Sequence, residues 1–96
     1  IGQLSADEIV MVHVNDAVAG VDRDEQMDLV RMLPLTTGLI DIVGFMDRVK
    51  QVGYDGPVMA EPFHKPLEDL AATDPVAAAR ETSRSLDELW RVAGLA

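Results

Sequence analysis

The sequence contains no cysteine. That excludes disulfides, thiolate metal ligands and a cysteine nucleophile, and it is compatible with a reducing compartment. Positive charge is scarce as well: eight Lys and Arg stand against seventeen Asp and Glu, a net charge of −9. With no basic cluster the chain has little means of neutralising phosphates, which argues against a nucleic-acid partner. An acidic surface of this kind mainly promotes solubility. No apolar run approaches the roughly 20 residues that a membrane-crossing helix needs. The N-terminus shows no basic-then-apolar signal pattern, so the expected location is cytoplasmic, with no membrane partner. The chain opens Ile1-Gly2-Gln3 without a methionine and is read as a piece of a longer chain or a processed one.

What is present is the composition of a globular protein, 48% hydrophobic and 26% charged, in 96 residues. So many Val, Leu, Ile and Ala residues argue against disorder. A chain this short buries a modest share of its surface.

Ile9 to Val14 is a run of apolar, mostly β-favouring residues, read as a strand buried on both faces in a parallel sheet. Asn15-Asp16 ends it with turn residues. A long connection follows, with a helix expected between Asp22 and Met32, closed by Leu33-Pro34. Asp41 is a candidate N-cap. Ile42, Phe45, Met46, Val49 and Val52 recur behind it at helical spacing, and the helix stops near Gly53. Asp55-Gly56-Pro57 is a turn, and Val58 to Glu61 is a second short strand ending at Pro62. Residues 62–73 read as a loop with one helical turn at Pro66 to Leu70. Asp74-Pro75 then caps a last helix with Val76, Ala79, Leu86, Leu89 and Trp90 on its buried side, ending near Gly94. The order is βαβα, an α/β arrangement with a parallel strand pair. Two strands make a poor parallel sheet alone, so more sheet is expected from further chain or from self-association.

The chemistry-bearing residues cluster at strand ends. The first strand ends at His13 and the second at Glu61. In βα barrels the groups at the C-terminal ends of neighbouring strands share one mouth. Imidazole plus carboxylate suits a divalent cation such as Mn²⁺, Mg²⁺, Co²⁺ or Zn²⁺, with at least two further ligands required. From the residues alone, a histidine at a buried strand end is more often a hydrogen-bonded structural group, and a glutamate before proline a solvated loop carboxylate. His64 reads as an exposed loop residue, and Trp90 and the methionines as core.

Val12-His13-Val14-Asn15-Asp16-Ala17, Arg31-Met32-Leu33-Pro34, Gly38, Ile40-Asp41, Phe45, Gly53-Tyr54-Asp55-Gly56-Pro57-Val58 and Glu61-Pro62-Phe63 occur in that order. Together they resemble the C-terminal end of the sugar phosphate isomerase/epimerase family, barrel enzymes of the xylose-isomerase-like class. The match runs over residues 9–63, and the closing helix fits it too. The resemblance implies that residues 1–96 form a partial domain, the C-terminal βαβα portion of a (β/α)8 TIM barrel from strand seven to helix eight. It implies a divalent-metal-dependent isomerase or epimerase acting on a ketose or sugar phosphate, with Mn²⁺ the first candidate metal. His13 would be a metal ligand. Glu61 would be both metal ligand and general acid/base, since a carboxylate beside a cation can take a proton from the carbon next to a polarised carbonyl. Arg31 would reach a substrate oxygen, or be a solvated charge. Asp16 would bind substrate or orient a ligand, or simply cap its turn.

The sequence departs from the family pattern in two places. The usual Pro-Gly is Pro34-Leu35 here, which leaves the loop shape and the placing of Arg31 open. The Asp-x-His pair of the endonuclease relatives is missing, and this together with the acidic charge lowers a DNA-repair reading. A keto-polyol dehydratase on the same barrel, and a non-catalytic barrel piece serving as an assembly module, are the rival readings. The expected partners are a small sugar or sugar phosphate and either a second copy or the remainder of the barrel. Without the earlier-strand ligands, the 96-residue chain is expected to be inactive by itself.

Overall fold

The computed structural model describes residues 1–95. Each apolar run narrows to a short strand, β1 (Val12–His13) and β2 (Val58–Met59). The two are parallel neighbours, with Val12 opposite Val58 and His13 opposite Met59. Parallel strands need a crossover rather than a hairpin. Here it is the long loop after β1 followed by α1 (Ile42–Gln51). Two further helices, α2 (Lys65–Thr73) and α3 (Pro75–Val92), follow β2. The βαβα order thus holds, with one additional helix.

The core forms where α1 and α3 lie on one face of the strand pair. Val12, Val14, Ile42, Met46, Val49 and Leu89 make one buried cluster. The α1 members recur every three or four residues, as one helix face requires. Helix α1 starts where Asp41 accepts a hydrogen bond from the Gly44 N–H at 3.0 Å, and α3 starts where Asp74 accepts one from Ala77 at 3.0 Å. Both end at a glycine in the left-handed region, Gly53 and Gly94, the usual helix stop.

Four expectations are corrected. Residues 9–14 are not buried on both faces: Val12 and Val14 are buried, but Met11 and His13 are exposed. Side chains alternate along a strand, and helices cover only one side of this pair. The helix expected between Asp22 and Met32 is instead two 3-10 turns, Arg23–Glu25 and Asp28–Val30. Gln26 folds the loop back on itself: its amide donates to the Val18 and Val21 carbonyls, each at 3.0 Å, and its carbonyl accepts from the Val18 N–H. Met27 and Leu29, at 65% and 69% exposure, have no surface to bury against, so the apolar stripe that would hold a helix there is missing.

The single turn expected at Pro66 to Leu70 extends to the nine residues of α2, with Pro66 in the first turn and a Lys65–Asp69 pair along its side. On α3 the buried stripe is Ala78 and Leu89 with half-buried Thr82, Ser85, Leu86 and Trp90, so the expected Leu86, Leu89 and Trp90 face the core while Val76 and Ala79 are exposed. The stripe includes polar residues because their hydroxyls are satisfied. Thr82 donates to the Ala78 carbonyl at 3.0 Å, and Ser85 to that of Pro34 at 2.7 Å.

Leu35 occupies the position where the family pattern has glycine, and it adopts the conformation a glycine would favour, φ 67°. Its half-buried side chain packs on the core. The turn around it is fastened by Thr36, whose hydroxyl donates to the Leu33 carbonyl at 2.6 Å, and by the Ser85 bond to Pro34. No described helix is long and apolar enough to cross a membrane.

Candidate functional site

Beyond His13 the two chain segments splay, and the residues singled out in the sequence gather there. Period-two alternation puts His13, and beyond β2 Glu61, on the exposed face opposite the helices. The His13 Nδ1 lies 3.3 Å from the Glu61 Oε2, and both side chains are half-exposed. The other ring nitrogen, Nε2, lies 3.0 Å from the Met11 sulfur.

Arg31 joins them. Its Nη1 lies 3.5 Å from the same Glu61 oxygen. The guanidinium carbon sits 4.7 Å above the centre of the Phe63 ring, a cation–π arrangement. The Arg31 carbonyl accepts the Phe63 N–H at 2.8 Å, and its Nε donates to the Asp28 carbonyl at 3.0 Å. Arg31 is therefore held at both its backbone and its side chain by the segment following Glu61. The Pro34-Leu35 departure does not carry it away from the site.

Asp16 belongs to the same end of the fold but faces elsewhere. It is 1% exposed. Oδ1 accepts the Ala17 and Ile40 N–H groups at 2.8 and 3.3 Å, and Oδ2 accepts those of Thr37 and Gly38, both at 2.9 Å. Its backbone exchanges two more bonds with Met32. Burial by itself pushes the Asp16 carboxyl up, but the Thr37, Gly38 and Ala17 N–H groups together outweigh it and hold the carboxyl below the usual carboxylate range. Of the three roles the sequence offered, this geometry is that of the turn cap. With two donors on each oxygen, no acceptor direction is left for a substrate.

His64 stands apart. It is half-buried rather than exposed, and its carbonyl accepts the Leu67 and Glu68 N–H groups at the start of α2. It shares a hollow with Leu33, Leu67 and Glu81 rather than with His13.

Two residues without a role in the sequence reading belong to the site. Phe63 is the platform for Arg31. Asn15 accepts the Glu61 N–H on its side-chain oxygen at 2.9 Å. Phe63 follows Glu61-Pro62 and so could have been flagged by proximity; nothing in the local pattern around Asn15 predicts a bond to a residue 46 positions later. Two open hollows, ≈ 270 and ≈ 320 Å³, meet at Asn15 and Ile40 beside the site, one reaching His13 and the other Arg31. A third, of ≈ 190 Å³ between Met46, Tyr54, Val58 and Trp90, lies at the opposite end of β2.

The donor set can be tested against a divalent cation. Two ligands at about 2.1 Å from one cation lie about 3.0–3.4 Å apart at octahedral or tetrahedral angles. The His13–Glu61 separation of 3.3 Å falls within that range. The pair is incomplete, because among the described residues no three or more His, Cys, Asp or Glu side chains are grouped to hold a metal.

The family described as "Xylose isomerase-like TIM barrel" matches residues 2–89. No curated protein matches the chain, and no solved structure does.

Proposed function

Because the chain belongs to the xylose isomerase-like TIM barrel family, we propose that it supplies half of a divalent-metal site in an isomerase or epimerase of ketoses or sugar phosphates. In this reading the chain is the last two βα units of the barrel, and the remaining ligands come from elsewhere in the assembled protein. The observation that carries the proposal is the 3.3 Å approach of His13 to Glu61 at neighbouring strand ends.

His13 and Glu61 would hold the cation, with Mn²⁺ the first candidate. A bound divalent cation supplies polarisation of the substrate carbonyl. Glu61 moves the proton at the adjacent carbon, and Oε1 is the oxygen to exchange it, since both His13 and Arg31 approach Oε2. Arg31, braced by Phe63, donates to a substrate oxygen and so orients the sugar. Its planar fork, held over an aromatic ring, has less freedom to lose on binding than a solvated side chain. Asp16 shapes the loop that carries Arg31 and lies outside the chemistry.

Calorimetric titration of the chain with Mn²⁺, with and without Glu61→Ala, tests this. The substitution is expected to weaken binding by at least about tenfold, as loss of one of two protein ligands should. Equal binding by both forms, or no binding by the parent chain, overturns the reading for this molecule.

A further inference from the structure

The backbone ladder between β1 and β2 is short. Val12 N–H donates to the Pro57 carbonyl at 3.2 Å and Val14 N–H to that of Met59 at 2.9 Å. The first segment then turns away, and Asp16 pairs in the opposite direction with Met32. At this point Glu61 has lost a backbone neighbour, yet it is the residue whose height at the sheet end matters most. Its N–H points not to a backbone carbonyl of the first segment but to the Asn15 side-chain oxygen, at 2.9 Å.

We propose that Asn15 is a positioning residue for Glu61, its side-chain carbonyl replacing the missing rung of the ladder. The functional consequence rests on the metal-site reading above; the structural role does not. Asn15 fits the task for a physical reason. The chain at Asn15 is leaving β1, so a main-chain oxygen would be carried off with it. A short amide side chain projects back across the gap instead. The bond fixes the Glu61 backbone, and its carboxylate then reaches His13 at 3.3 Å and Arg31 at 3.5 Å. Pro62 follows immediately and restricts the Glu61 backbone to extended conformations. The N–H anchor and the proline together leave the side chain little latitude. Asn15 touches Glu61 through the backbone rather than the carboxylate. Its removal should therefore displace the carboxylate without taking away a ligand.

The test uses the 96-residue chain with Asn15→Ala and Asn15→Asp, read by amide hydrogen exchange and by Mn²⁺ titration. In Asn15→Ala the Glu61 amide is expected to exchange about tenfold faster, the equivalent of one hydrogen bond, while Val12 and Val14 amides keep the parent rates. Mn²⁺ binding weakens by about tenfold, as for other groups that orient a ligand without touching the metal. Asn15→Asp keeps an acceptor oxygen in place, and it restores the protection of the Glu61 amide. A Glu61 amide already unprotected in the parent, unchanged in Asn15→Ala, or loosened together with Val12 and Val14 overturns the proposal. If Glu61→Ala leaves Mn²⁺ binding intact while Asn15→Ala still exposes the Glu61 amide, the metal-site reading fails and the positioning role stands. If Glu61→Ala abolishes binding and Asn15→Ala changes neither measurement, Asn15 alone is removed from the account.

Discussion

Replacing Asp16 by asparagine changes one oxygen to an NH₂ group and almost no volume. The parent carboxylate accepts four backbone N–H groups, two on each oxygen. An asparagine carbonyl can keep one pair of them; the other pair then faces an NH₂ donor. Two buried N–H groups without acceptors cost about 1–3 kcal/mol each, so the expected loss is about 2–6 kcal/mol. A chain of this length has a total stability of roughly 5–14 kcal/mol, so the change is a large share of it. With a urea slope of about 1–3 kcal/mol per M, the midpoint should fall by at least about 0.7 M. Trp90, packed beside the core, reports the transition by fluorescence. The pH dependence gives a second check. The folded Asp16 carboxyl is held below its usual range, so its contribution is full above that range. It is lost as pH falls through the unfolded value and then through the lowered folded one. The gap between parent and variant should therefore be constant near neutrality and shrink in acid. A midpoint shift under about 0.3 M at neutral pH, equivalent to less than one hydrogen bond, would refute the reasoning.

Leu35 sits at φ 67°. Leu35→Ala removes the packing and keeps the strain, whereas Leu35→Gly removes both. Left-handed strain of about 1–2 kcal/mol, less the roughly 0.5–1 kcal/mol that glycine costs in entropy, should leave Leu35→Gly the more stable of the two by about 0.5–1 kcal/mol in urea unfolding. This reverses the usual order, and an alanine variant at least as stable as the glycine one would contradict it. Leu89 is 0% exposed, and Leu89→Ala should lower stability by about 2–5 kcal/mol in the same assay, with the larger value if the surrounding side chains cannot close the gap.

The elements that sequence reading located well are those specified by adjacent residues. Asp41 and Asp74 announce α1 and α3 because an N-cap bond spans only three positions, and Ile42, Met46 and Val49 announce the buried face because their spacing is that of the helix itself. Where the decisive contact is distant or polar, the reading failed. The Arg23–Val30 stretch contains enough helix-compatible residues, but the Gln26 amide bonds to Val18 and Val21 and folds the loop back. On α3 the buried face includes Thr82 and Ser85, whose burial depends on hydroxyl bonds to carbonyls, one of them 51 residues earlier. Hydrophobic periodicity carries no information about such bonds, so it finds Leu86, Leu89 and Trp90 but puts exposed Val76 and Ala79 where Ala78, Thr82 and Ser85 belong.

At the site, the same distinction separates what the residues do from where they sit. His13 and Glu61 were legible because each ends a strand, and parallel register brings strand ends together without any further detail. Arg31 was legible only through a resemblance, since its position depends on a loop of irregular backbone and on Phe63 beneath it. For Asp16 the residue type admits both substrate binding and capping, and only the arrival of Thr37, Gly38 and Ile40 from across the loop decides between them. Those partners explain why an acidic residue can stand next to the candidate ligands with both its oxygens already occupied. With both oxygens occupied by backbone donors and the carboxyl held ionised, Asp16 fixes the loop that brings Arg31 to Glu61. The carboxylate that faces His13 and Arg31 is that of Glu61, whose Oε2 is shared between an imidazole and a guanidinium. In the proposed metal site a cation would compete with Arg31 for that oxygen, so binding the metal would be coupled to freeing the guanidinium for a substrate oxygen.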